Sequence, residues 1–328
     1  MSNNENLRAS TPKLSTAEAK KVIKTALGAK APSTLGPLTE LPGKWVGKGF
    51  NLIALPDFAG GTKFRVKLNA INETLEFTDD VGPIPNRGNT QPDITYLGLR
   101  YLQTVEDAQT GEGLHIEPGL WINLPANDVQ KEATVARMGT VPHGDSLLAQ
   151  GPFFTFPGAP QFGVADATPF TLDPNTGARI NDTSEAYLKP YTDATPPPGI
   201  PKSAILDPNQ LLIASNKEQE ALGRKIVNTI VMQVNASPIG GINGTPVTKD
   251  PGTEGGIVNI PFVVKNADAN SMSAIFWINT LENPDGSQFL QLQYTQTVIL
   301  DFPVPGADGK TMVDIKWPHI TVGTLTKR

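Results

Sequence analysis

Gly43-Lys44-Trp45-Val46-Gly47-Lys48-Gly49-Phe50 opens a long series of strand-like segments. Aromatic and β-branched residues alternate here with lysines, and the glycines let a neighbouring strand approach closely. Reading outward, the same alternation predicts strands over Trp45 to Leu55, Thr62 to Ile71 and Glu73 to Thr78, with Asn72 read as a break. Further strands are predicted over Ile94 to Val105, Gly113 to Leu124, Ala133 to Val141, Arg224 to Val234, Gly256 to Val264, Ala274 to Leu281, Phe289 to Phe302 and Met312 to Thr326. Many strands without alternating helices imply a mainly β fold, a large antiparallel barrel or a sandwich.

Two regions depart from that pattern. Ser15-Thr-Ala-Glu18 is a capping box ahead of Val22, Ile23, Ala26 and Leu27, so a short helix ending at Gly28 is expected, and prolines 32, 37 and 42 then make a connector. Between Pro152 and Pro201 prolines are too dense for a regular ladder. Asp207-Pro208 then starts a helix with Leu211, Leu212, Ser215 and Leu222 on one stripe, ending near Gly223. Residues 1–42 thus read as helix and connector, residues 43–328 as one barrel domain, and 152–223 as a long proline-rich excursion inserted in it. The Pro118-Gly119 pair reads as a bulge, and Pro318 as an edge or bulge position.

Composition removes whole function classes. The chain has 328 residues and a formal net charge of −5, with no basic stripe to follow a phosphate backbone, so nucleic acid is not an expected partner. No apolar run approaches the roughly 20 residues of a membrane span, and Met1 to Ser10 lacks a secretory apolar core. A cytoplasmic protein that engages no membrane is therefore expected. No GxSxG elbow or phosphate-binding glycine loop precedes a helix; Gly240-Gly241-Ile242-Asn243-Gly244 reads as a loop. If two chains pair as a homodimer, they are expected to do so along an exposed barrel edge.

The chain has three histidines and no cysteine, so soft-metal or haem ligation falls on His115, His143 or His319. In Gly113-Leu114-His115-Ile116-Glu117, residues two apart share a strand face, which places His115 beside Glu117. A carboxylate there fixes the imidazole's tautomer or raises its basicity. His143 falls in a Pro-His-Gly turn. In Lys316-Trp317-Pro318-His319-Ile320-Thr321, Trp317, His319 and Thr321 share one face.

Gly43 to Gly49 resembles the GxW opening of calycin barrels, in which the tryptophan plugs the closed end. With Leu114-His115-Ile116-Glu117-Pro118-Gly119 as an HxExG strand and Pro318-His319-Ile320-Thr321-Val322 as a closing strand, the order of motifs resembles the nitrobindin family, the haem-binding β-barrel also found as the C-terminal domain of THAP-type proteins. The likeness covers residues 43–151 and 272–326. The family's barrels are shorter, so this chain would be a longer, divergent branch. The resemblance implies haem b bound with ferric iron on His319, with His115, Trp45 and Trp317 about the cofactor. It further implies chemistry on a small ligand such as nitric oxide, peroxynitrite or peroxide. An enzyme of this kind would be a haem-dependent isomerase or peroxidase, the latter needing His115 or His143 as a distal base.

Two other readings use the same residues. His115, Glu117 and His143 form a two-histidine, one-carboxylate set for a non-haem metal. Phe50, Ile53, Phe276, Trp277 and Leu292 line a metal-free cavity for a lipid or another apolar small molecule.

Overall fold

The computed structural model describes residues 35–79, 81–128, 131–236, 255–306 and 309–328. The expected leading helix and the Gly240 to Gly244 loop lie outside them. Fifteen strands follow in chain order: β1 (Gly43–Pro56), β2 (Phe64–Thr78), β3 (Ile84–Asn86), β4 (Ile94–Asp107), β5 (Gly113–Leu124), β6 (Thr134–Val141), β7 (Asp145–Gly151), β8 (Phe153–Pro157), β9 (Phe170–Leu172), β10 (Arg179–Asn181), β11 (Lys225–Ala236), β12 (Gly256–Asn259), β13 (Asp268–Glu282), β14 (Gln288–Pro305) and β15 (Met312–Lys327). Helices α1 (Glu185–Asp193), α2 (Gln210–Ala221) and α3 (Pro261–Asn266) lie between them. No helix among the described residues is long and apolar enough to cross a membrane.

Ten strands close an antiparallel barrel in the order β1-β2-β4-β5-β6-β7-β11-β13-β14-β15, and β15 pairs back onto β1 from Trp45↔Lys327 to Leu52↔Ile320. Each of the ten strands thus has a neighbour on both sides, while Phe64–Asn69 of β2 and Gly113–Pro118 of β5 are in a ladder on one side only. β7 and β8 form one line along β11, from Asn235↔Gln150 to Asn228↔Pro157, interrupted at Pro152, which has no N–H to give.

Alternation sorts the side chains. On β5 the inward set is His115, Glu117, Gly119 and Trp121; on β15 it is Trp317, His319, Thr321, Gly323 and Leu325. The end bearing Trp45 and Leu325, here the floor, is filled by Leu38, Leu41, Phe77, Leu99 and Trp121, all buried. A 3-10 turn, Gly36–Glu40, delivers Leu38, and the Trp45 indole donates to the Leu41 carbonyl at 2.8 Å. Trp45 thus plugs the floor, with its polar atom satisfied inside the plug. At the upper end Trp317 lies 4.3 Å from Phe64 and 4.9 Å from Phe302 between ring centroids, and Tyr187 of α1 meets it edge-on at 6.1 Å.

The excursion covers the outer wall. Phe162 packs edge-on against Trp277 at 4.9 Å, and Thr295 donates to Asn209 at 2.5 Å. Trp277 and Phe50 therefore face outward, while Phe276 and Leu292 face the lumen; the five residues expected to line one cavity are divided between the two faces. Other expectations change as well. β2 runs unbroken through Asn72, an exposed outward residue whose ladder partners are Lys48 and Glu106. Pro118 and Gly119 stay in register with Leu102 and Tyr101, and the slip occurs instead between Val105 and Glu106. The strand expected to reach Val264 stops at Asn259, because Pro261 starts α3. Pro318 lies on an interior strand just beyond the last β1 pair, where no β1 carbonyl needs its missing N–H.

Candidate functional site

His319 and His115 are partly buried at the upper end of the lumen, and His143 is exposed in the turn between β6 and β7. His319 points inward from β15, and its Nε2 lies 2.6 Å from Asn51 Oδ1 on β1. Thr321, one inward position further, donates to the same oxygen at 2.9 Å. An amide oxygen only accepts, so the imidazole donates through Nε2 and carries its lone pair on Nδ1. Burial, followed by repulsion from His115 and His143, drives its pKa down to about 3, which keeps the ring neutral.

His115 and His143 lie with ring centroids 6.1 Å apart. His115 arrives from the start of β5, and His143 from the turn between β6 and β7. His115 Nε2 is 3.3 Å from Glu117 Oε2. His143 is held below its ordinary value by burial first and by His115 second. Asp145 beside it is raised by burial.

Below the histidines, a polar layer spans the barrel. Arg137 on β6 bonds Glu117 at 2.7 Å through Nη2, Gln296 on β14 at 2.5 Å through Nη1, and the Tyr101 hydroxyl at 3.1 Å through Nε. Tyr101 donates in turn to Glu117 Oε1. Burial alone would push the Glu117 carboxyl up; the Arg137 charge, aided by His115 and Tyr101, outweighs it and holds the group at about 2. Across the lumen, Glu73 accepts from Tyr294 at 2.7 Å and from Gln103 at 2.7 Å. Neither donor is charged, so burial prevails and raises Glu73 to about 7.

Glycines make room for this layer. A Cβ on Gly119 would collide with the Tyr101 ring, one on Gly323 with the Tyr294 ring, and one on Gly139 with Glu117 and the Tyr101 hydroxyl. Each tyrosine lies across a glycine of an adjacent strand so that its hydroxyl reaches the buried carboxylate.

The structure thus brings His319 together with His115 and His143. It places Trp45 in the floor and Trp317 in an aromatic stack at the upper rim, where its indole donates to the Phe302 carbonyl at 3.0 Å. Among the described residues no group of three or more His, Asp or Glu sits close enough to hold a metal ion, so His115, Glu117 and His143 do not make the expected facial set. Glu117 is committed to Arg137 and Tyr101 instead. Sequence reasoning did not single out Arg137, Glu73, Tyr101, Gln103, Tyr294 and Gln296. Their signal was parity: Arg137 alternates with Val135 and Gly139, and Glu73 with Ile71 and Leu75.

No family model and no curated protein matches this chain. Among solved structures, the chain is similar to the crystal structure of Rv2717c from M. tuberculosis, with a TM-score of 0.37 and 14% identity, over 91% of this chain and 98% of that one. That likeness is too distant to assign a family.

Proposed function

We propose that the upper lumen binds ferric haem with His319 as its single protein ligand, and that the bound iron serves a small exchangeable ligand such as nitric oxide, peroxynitrite or peroxide. The observation that carries this reading is a partly buried, inward imidazole held neutral near the chain's other two histidines. Neutral imidazole is the form that ligates iron, and one histidine suffices for haem where a bare metal ion needs several ligands.

The donor set fits with one adjustment. Nε2 of His319 is engaged by Asn51. Taking iron through Nε2 gives up one neutral hydrogen bond, worth about 0.5–1.5 kcal/mol net. Bound haem would supply a Lewis-acidic, redox-active centre. The chain's own residues set its surroundings: His143 and His115 offer proton-accepting nitrogens at the same end of the lumen, and the Glu117 carboxylate orients His115.

The layer beneath argues against the metal-free reading in its simplest form. A long acyl chain running the depth of the barrel would have to lie against Glu117, Arg137 and Glu73, and the floor is packed with Trp45 and Trp121. Burying apolar groups against charges already removed from water gains little. A ligand confined to the upper half avoids that cost.

Native mass spectrometry of the full chain mixed with hemin tests the reading. One porphyrin per chain, retained by the wild type and lost from His319→Ala, is the expected result. An equal affinity in both, or none in either, overturns it.

A further inference from the structure

Among the described residues, Leu102, Ile116, Leu148, Phe154, Val164, Leu172 and Ile180 are exposed along the wall and the excursion, and Leu222 at the floor end. Six more exposed large apolar side chains stand at the upper end, by the turns after β1 and β6, the β12–α3 segment and the start of β15. Phe58, in the turn after β1, is fully exposed, and Met312 at the start of β15 is 57% exposed. Within seven residues of β12 and α3, Val258, Ile260, Phe262 and Val264 are 73%, 50%, 73% and 52% exposed.

This segment is anchored to the lumen's rim. The Ile260 N–H donates to the Gly144 carbonyl at 2.9 Å, and the Ile260 side chain fills the space where a Gly144 Cβ would stand, next to His143. Gly144 has φ +107°, which lets the turn pass under Ile260. From Val258 to Ala267 the single charged side chain is Lys265.

We propose that the upper end of the barrel docks on a lipid bilayer, with Phe58, Phe262 and their apolar neighbours in the interfacial layer. A second copy of the chain is the poorer occupant. The four side chains of β12 and α3 expose on the order of 400 Å², about half of the 800 Å² per partner that a stable dimer buries. The apolar tips also stand on separate segments, which suits insertion into a fluid surface better than a fit to one rigid face. Exposed Lys63, Arg65 and Lys67 at the start of β2, Lys265 in α3 and Lys310 ahead of β15 lie at the same end, so apolar burial is joined by attraction to anionic headgroups, and anionic lipid and low salt favour attachment. The proposal departs from the expectation that the protein engages no membrane. The inference does not depend on which ligand fills the lumen, but it sets the lumen's histidine end against the phase in which a porphyrin or another apolar molecule dissolves.

Flotation of the full chain with phosphatidylcholine vesicles, and with vesicles of phosphatidylcholine and phosphatidylglycerol in equal parts, tests the proposal. Wild-type protein is expected to float with both, and more completely with the anionic vesicles at low salt. The Phe58→Ser/Phe262→Ser double variant should lose at least tenfold in bound fraction, while Leu222→Ser at the floor end floats like wild type. Circular dichroism and hemin titration on the same samples keep folding and ligand binding separate from docking. Wild-type protein that stays out of the lipid fraction overturns the proposal. So does a loss in Leu222→Ser equal to that in the double variant, or a dimer in sedimentation velocity that the double variant abolishes.

Discussion

His319 reaches diagonally across the β15–β1 pair to Asn51, whose register partner is Thr321, with Nε2 and Oδ1 2.6 Å apart, and Thr321 donates to the same amide oxygen. The amide holds both ring orientation and tautomer. Asn51→Ala leaves a partly buried N–H and a hydroxyl without their acceptor, so it should cost about 0.5–1.5 kcal/mol in urea unfolding of the apoprotein. The same change frees Nε2, so hemin affinity should stay equal or rise. A fall in affinity would mean that Asn51, and not His319, supports the porphyrin.

Arg137 is the keystone of the buried layer, because its removal strands the Glu117 carboxylate in the barrel. Arg137→Met should destabilise by about 3–5 kcal/mol. Arg137→Met with Glu117→Gln should cost clearly less than the sum of the single changes, since no unpaired charge then remains. Additive costs in a double-mutant cycle would contradict a coupled pair.

The titration of Glu73 has the reverse sign from that of Glu117. Its carboxyl is raised from 4.5 to about 7 in the folded chain, so between those values the unfolded chain releases a proton that the folded one keeps. Stability contributed by the protonated form is complete below pH 4.5 and lost as pH rises through about 7. Glu73→Gln removes that loss. Its stability relative to wild type should improve by on the order of 3 kcal/mol on passing from below pH 4.5 to above pH 7. His319, lowered from 6.5 to about 3, acts oppositely: its contribution is present above pH 6.5 and lost as pH falls toward 3. A pH-independent difference between Glu73→Gln and wild type would show that the carboxyl is not protonated in the fold.

Gly323→Ala places a methyl group against the Tyr294 ring, which is held by its bond to Glu73 and cannot swing away freely. A cost of about 1–3 kcal/mol is expected from such overpacking. Unfolding curves unchanged by the substitution would show that the tyrosine is free to move.

Architecture was legible where alternation was clean. The predicted span of β5 matches the observed Gly113–Leu124, and β15 differs by one residue, because the alternation around His115 and His319 is bounded by turn residues, Gly111 and Pro125 for β5 and Gly309 for β15. The polar layer was hidden by the same rule wrongly applied. Taking Asn72 as a break severed Glu73 from Ile71, so its inward parity was not seen. An outward wall buried under an excursion also defeats parity: Phe50 and Trp277 look like lumen residues because both faces of their strands are apolar. The partnership of Asn51 with His319 joins residues 268 positions apart and follows from strand closure alone.

Imidazole rescue tests the central claim most directly. Apoprotein titrated with hemin should give a saturable Soret band at one equivalent. His319→Gly should lose it, and added imidazole should restore it by occupying the vacated position, while His115→Gly and His143→Gly keep the wild-type band. A band that survives in His319→Gly without imidazole, or wild-type protein that gives none, contradicts iron ligation by His319.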